Sequence, residues 1–159
     1  IPAVHETSLI DLGNYNDAYP RMAGLAEDWL ARYPSIQMVL DVHRDSLETD
    51  DGTQLALRAD VDGEACAKLL LVMGSNGSGL EHPGWWQNLA NAARLQALCE
   101  QRAPGLMRDL LLRASRYNQH LTPRSMLLEV GTAGNSLEEA LRSADIFSQV
   151  LADCLLGKA

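Results

Sequence analysis

The run Ile36-Gln37-Met38-Val39-Leu40-Asp41-Val42 restricts the fold of this chain more than any other stretch. It is apolar enough to be buried and too short for a buried helix, so it reads as a strand of a parallel sheet. A helix pattern leads directly into it. Met22, Leu25, Ala26, Trp29, Leu30 and Tyr33 recur at three- and four-residue steps, giving one apolar face from about Tyr19 to Tyr33. Pro34 then stops the helix. A helix that feeds a buried strand is the unit of layered α/β folds.

The rest of the chain continues the pattern. Asp51-Gly52 and Asp62-Gly63 are turn signals that bracket a strand near Thr53–Asp60. Cys66–Met73 reads as its neighbour, in antiparallel pairing. Gly74–Gly84 is a glycine-rich loop, and Trp85–Arg102 is a second helix ending ahead of Pro104. Ser125–Val130 is a third strand. The last helix starts near Asn135, with Asn135 as N-cap and Glu138 in capping-box spacing. These elements predict an α/β fold with a mainly parallel sheet and helices on both faces. No linker or repeat divides the chain, so residues 1–159 are expected to form a single domain.

Composition excludes several classes of partner. The formal net charge is −8 and no basic block with interleaved aromatics occurs, which argues against nucleic acid. No apolar run reaches the roughly 18 residues of a membrane span, and no signal segment is present, so no anchor is expected within this chain. Cys66, Cys99 and Cys154 form no Cys-x-x-Cys pair, and Cys99 and Cys154, among apolar residues at helical spacing, are expected to be small buried side chains.

Two apolar strands deliver a polar residue at or near the carboxyl end, where open α/β sheets bind ligands. The first leads into Asp41-Val42-His43-Arg44-Asp45. His43 there is either a hydrogen-bonded histidine beside a surface Arg44–Asp45 ion pair or part of a site. The second contains Glu129 within Leu127-Leu128-Glu129-Val130-Gly131. A carboxylate so placed bears a large desolvation cost. Either it points out at the sheet edge, or it meets a metal or a catalytic water.

Several motifs stand in an order that resembles the stage II sporulation protein P family. They are Asp41-Val42-His43-Arg44-Asp45-Ser46, Trp86-Gln87-Asn88-Leu89-Ala90, Tyr117-Asn118-Gln119, Leu128-Glu129-Val130-Gly131 and Asn135-x-x-Glu138-Glu139. Upstream, Tyr15-Asn16-x-x-Tyr19 and Tyr33-Pro34-Ser35-Ile36 are also similar, so the likeness runs from about His5 to Leu155.

The resemblance implies a zinc-dependent N-acetylmuramoyl-L-alanine amidase that cuts peptidoglycan during sporulation (engulfment), with a fold similar to zinc-dependent cell-wall amidases. It implies His43 as a zinc ligand and Glu129 as the catalytic base. Arg44 and Asp45, in the same motif, are implied to support the site or orient substrate. Tyr117, Asn118 and Gln119 either line a substrate groove with their hydrogen-bonding groups or form a turn that leads into the Glu129 strand. A lytic transglycosylase partner and a membrane-anchored, extracytoplasmic location are also implied for the full-length protein.

One departure stands out. The family takes its first two metal ligands from a His-Thr-His-x-x-Glu-type segment after its first strand, and nothing here matches it. The chain is therefore expected to lack that strand and to hold an incomplete zinc site. His5, in His5-Glu6-Thr7-Ser8, is read as a strand or loop residue and not a ligand. The alternative is a non-catalytic wall-binding or partner-docking domain of the same fold, and a second is a zinc peptidase acting elsewhere on the stem peptide.

The remaining candidates carry less. His82 precedes Pro83-Gly84 and is expected to be solvent-exposed. His120 is expected to be non-catalytic. Gly74-Ser75-Asn76-Gly77-Ser78-Gly79 is similar to a phosphate loop but lacks the Gly-Lys-Ser/Thr ending. Trp85 and Trp86 offer surfaces for stacking on sugars, though one of them is expected to start the core face of the second helix. Ser46 and Ser125 have no His/Asp set in order, which disfavours a serine hydrolase.

Overall fold

A computed structural model describes residues 1–14 and 17–158 of the chain. Tyr15 and Asn16, part of one motif above, lie outside the described residues. The elements run α1 (Ala18–Arg32), β1 (Leu40–Asp45), β2 (Arg58–Val61), β3 (Glu64–Ala67), β4 (Leu69–Gly74), α2 (Trp85–Arg102), β5 (Leu111–Arg113), β6 (Met126–Thr132) and α3 (Leu137–Leu155).

The main sheet has the order β1-β6-β4-β5, and β2 and β3 form a separate antiparallel hairpin. The fold class is α/β, but the sheet is mixed rather than mainly parallel. β1 pairs with β6 and β4 with β5 in parallel, while β4 and β6 run antiparallel. The antiparallel centre arises because the Cys66–Met73 run is not one strand. Its first two residues close the hairpin with β2, and after Lys68 the chain enters the main sheet as β4.

Period-two alternation along β4 and β6 divides the apolar residues between two faces. Leu69, Leu71, Met73, Met126 and Leu128 face α2 and α3, where they meet Leu95, Cys99, Phe147 and Val150 in the main core. Leu70, Val72 and Leu127 face the other way and form a smaller cluster with Leu111 and Tyr117. On that side Met22 and Ala26 of α1 share a small cavity with Val39, Asp41 and Tyr117. The cysteines are free; Cys66 and Cys99 are buried and Cys154 is half-buried.

Several boundaries differ from the sequence reading. β1 starts at Leu40 and runs on through Asp45, so His43 lies inside the strand and not after it. The expected strand at Thr53–Asp60 is reduced to Arg58–Val61. Ahead of it, Asn135 Nδ2 donates to Leu57 O and Thr132 Oγ1 to Leu55 O, so side chains replace part of a ladder. The N-cap of α3 is Ser136, and its capping-box partner is Glu139, not Asn135 and Glu138. Ser136 Oγ accepts from Glu139 N–H at 3.2 Å, and the Glu139 carboxylate accepts from Ser136 N–H at 3.0 Å. Asn135 is committed elsewhere, since its Oδ1 accepts from the Thr132 N–H and hydroxyl.

Candidate functional site

β1 and β6 run parallel in a register that places His43 beside Glu129 and Asp41 beside Leu127. On the other side of β6, Glu129 stands opposite Leu70 of β4. Alternation therefore puts Asp41, His43, Asp45, Leu127, Glu129, Leu70 and Val72 on the sheet face away from α2 and α3. That face is the floor of a cleft of about 230 Å³, which contains both His43 and Glu129.

Each charged group has a definite setting. His43 Nε2 lies 3.0 Å from Asp41 Oδ1, and its side chain is 39 % exposed. The hydrogen bond to Asp41 raises the His43 pKa, with the negative charges of Asp41 and Glu129 adding to it and burial opposing it. Glu129 is half-buried and its Oε2 is enclosed without a hydrogen-bond partner among the described residues. Burial raises its pKa, while His43 and Arg108 pull in the opposite direction. A carboxylate with raised proton affinity beside an oriented histidine is the equipment of general acid–base chemistry.

Arg108 closes one side of the cleft. Its backbone N–H donates to Leu69 O at 2.7 Å, which fixes the segment alongside the start of β4. Its guanidinium reaches Asp45 at 2.6 Å, and both side chains are largely buried. Nothing in the sequence marks Arg108, because the pairing joins residues 63 positions apart.

The other expected site residues divide. Asp45 and Tyr117 line the cleft. Tyr117 and Asn118 adopt φ of 49° and 55°, a left-handed turn that only a well-supported backbone holds in residues other than glycine. The turn sets the Tyr117 ring 5.9 Å from that of Tyr19, and Asn118 Nδ2 donates to Tyr19 O. Gln119 is buried, with its side-chain amide accepting from Gly74 N–H and donating to Val72 O, so it extends the β4 ladder in place of a strand. Arg44 is exposed and lies outside the residues lining the cleft.

The histidines away from the cleft also differ from expectation. His82 is not exposed but 2 % accessible, and neither ring nitrogen has a hydrogen-bond partner among the described residues. It is folded in beside Arg116, whose guanidinium donates to Glu81 O. Burial and the neighbouring charges of His120 and Arg116 lower its pKa. His5 is an exposed residue of the N-terminal stretch, and His120 is half-buried. Trp85 is half-buried at the start of α2, and Trp86 is exposed.

A profile of the family described as Stage II sporulation protein P (SpoIIP) matches residues 1–152. The chain belongs to the stage II sporulation protein P family. It is 33% identical over 149 residues to the stage II sporulation protein P of Bacillus subtilis (strain 168), a match that covers 88% of this chain and 35% of that protein. The chain thus spans about a third of the length of this curated family member. No solved structure matches. In this member of the stage II sporulation protein P family, the His43 and Glu129 motifs come together in one cleft.

The donor set can be tested against a zinc ion. A carboxylate hydrogen-bonded to an imidazole is the arrangement that orients a metal-ligating histidine, so Asp41–His43 fits one ligand and its support. Among the described residues, however, no group of three His, Cys, Asp or Glu side chains could hold a metal. The Asp41–His43 pair thus matches one ligand position and its support, and the described residues hold no complete metal site.

Proposed function

We propose that this chain is catalytic, part of a peptidoglycan hydrolase that cleaves the amide between N-acetylmuramic acid and L-alanine. The observation that carries the reading is Glu129: a half-buried carboxylate with one oxygen unpartnered among the described residues, raised proton affinity and an oriented histidine on the next strand. Membership of a sporulation family supports the setting.

The chemistry follows from the cleft. Glu129 accepts a proton from water as the oxygen adds to the scissile carbonyl carbon. It then returns that proton to the departing amine nitrogen as the carbon–nitrogen bond breaks. The apolar floor of Leu70, Val72 and Leu127 limits solvation of Glu129, which keeps its proton affinity high enough for both transfers. Arg108, tied to Asp45, adds positive charge near Glu129 and stops its pKa from rising too far. Asp41 holds the His43 ring in place.

His43 is proposed as one zinc ligand, with the others drawn from outside the described residues. A zinc ion bound there would lower the pKa of a coordinated water and polarise the amide carbonyl.

The test uses the full-length protein and two variants. Glu129→Gln keeps shape but removes the proton acceptor; turnover should fall about 10²–10⁴-fold while zinc content is retained. His43→Ala should lower zinc content and turnover together. Zinc content and release of stem peptides from purified peptidoglycan are measured side by side. Near-normal turnover in Glu129→Gln overturns the base assignment. Wild-type protein that binds peptidoglycan without releasing peptides would favour the rival, a wall-binding domain of the same fold.

A further inference from the structure

The cleft contains a second guanidinium that the proposed chemistry does not use. Arg113 lines the same cavity as His43 and Glu129. Unlike Arg108, which is held by Asp45, the Arg113 guanidinium has no hydrogen-bond or ion-pair partner among the described residues. Its backbone is nevertheless fixed. Arg113 pairs with Gly74 in the β4–β5 register, and its carbonyl accepts from Ser75 Oγ at 2.9 Å. Gly74 has to be glycine, because a Cβ there would lie 2.5 Å from Ser115 O, where the chain crosses the strand end.

The register gives the spacing. Glu129 stands opposite Leu70, and Arg113 opposite Gly74, on β6 and β5 at either side of β4. Two strand spacings across and four residues along separate their Cα atoms by about 16 Å. Between them lies one apolar row, Leu127, Val72 and Leu111, which are register partners across the three strands. Arg113 and Glu129 both line the cavity, and leaning toward each other over that row these long side chains can bring their charged ends to within about 7–10 Å, the length of two or three extended residues at about 3.5 Å each.

We propose that Arg113 is a substrate-positioning residue that binds a free carboxylate two or three residues from the scissile amide, on the peptide side. The inference rests on the amidase reading and deepens it by naming the residue that positions the peptide side of the substrate, which would lie over the Leu127–Val72–Leu111 row. A planar guanidinium suits a carboxylate because it can offer two parallel N–H donors. Chain charge sharpens the choice, since at −8 the protein repels an acidic peptide in general and needs a local cation to hold one.

The experiment compares two substrates with the full-length protein. One is an N-acetylmuramoyl-L-alanyl peptide with a free carboxylate within three residues of the scissile bond, and the other is its carboxamide twin. Wild type should prefer the free acid in kcat/KM by about 10- to 100-fold, the range of a hydrogen bond to a charged group. Arg113→Ala should lose that preference by weakening the free acid alone, through KM, and Arg113→Lys should restore part of it. Equal loss on both substrates, or a wild type that does not discriminate, overturns the proposal. Calorimetric binding of the two peptides runs in parallel. If neither is cleaved, the amidase reading fails, and binding still decides the carboxylate site: selection of the free acid that Arg113→Ala removes supports it, and no selection overturns it.

Discussion

The two faces of the central strands are built from the same residue types and do opposite work. On β4, Leu69, Leu71 and Met73 point toward α2 and α3, and Leu69 to Met73 is buried throughout. The intervening Leu70 and Val72 are just as apolar, yet they floor a cleft that also contains Glu129, His43 and Arg108. The difference lies in what covers each face. Two amphipathic helices close the first, whereas the second is covered only in part, by α1 and the loop residue Tyr117 packed beside it. An apolar floor without a full lid limits the solvation of a carboxylate while leaving room for a substrate. That is why the same alternating pattern gives a packed core on one side and raised proton affinity on the other.

The sharpest way to break this comparison is to shorten one leucine on each face. Leu71→Ala leaves a cavity among α2 and α3 side chains and should cost about 2–5 kcal/mol. Leu127→Ala is equally buried but opens onto the cleft, where the space merges with solvent. It should lose only the transfer contribution, about 1.5–3 kcal/mol. Urea unfolding of both variants checks the order. If Leu127→Ala is the more damaging, the cleft face is as tightly packed as the core and the contrast fails.

A second contrast is between two of the residues whose buried polar atoms lack partners among the described residues, His82 at one end and Glu129 in the cleft. The His82 pKa is lowered in the folded protein by burial, and by His120 and Arg116. Stability from this group is therefore complete above its ordinary value of about 6.5 and is lost as pH falls below it, where only the unfolded chain takes the proton readily. His120 is shifted the same way, while His43, raised by Asp41, works in the opposite direction. His82→Gln should flatten the acid side of the stability profile by up to about 1.4 kcal/mol per pH unit. An unchanged profile between pH 7 and pH 5 would mean that His82 takes its proton in place.

Much of this contrast was legible in the sequence, and what was missed has a physical pattern. α2 was readable because its apolar positions keep helical period over eighteen residues and Pro104 follows. The His43 and Glu129 motifs were readable because each interrupts an apolar run with a charge. The mixed sheet was not, because an apolar run such as Cys66–Met73 carries no mark of strand direction, nor of the break at Lys68. β5, three residues long, falls below any periodicity test. Arg108 and Arg113 owe their places to pairing with β4, and Gln119 owes its burial to the β4 backbone it completes. His82 was misread because loop composition suggests exposure, whereas the Arg116–Glu81 contact folds that loop inward.

The smallest effect should have the opposite sign from the rest. In the folded chain Glu129 holds its proton more tightly than in the unfolded one, chiefly because burial penalises its charge. Between its ordinary value of about 4.5 and the raised folded value, the folded state binds more protons, so stability falls as pH rises. Above that window the penalty is fully present. Glu129→Gln removes it while preserving shape, so the variant should melt higher than wild type at pH 7 and match it near pH 4. At this chain length each kcal/mol corresponds to about 2–4 °C in Tm, and a gain of that order is the expectation. A more stable protein with lost turnover would be the mark of a carboxylate kept for chemistry at a cost to the fold. A variant less stable than wild type at pH 7 would show instead that the charge of Glu129 is held favourably by His43 and Arg108. The cleft face would then be an ion-pair network, no less settled than the core on the other side of the sheet.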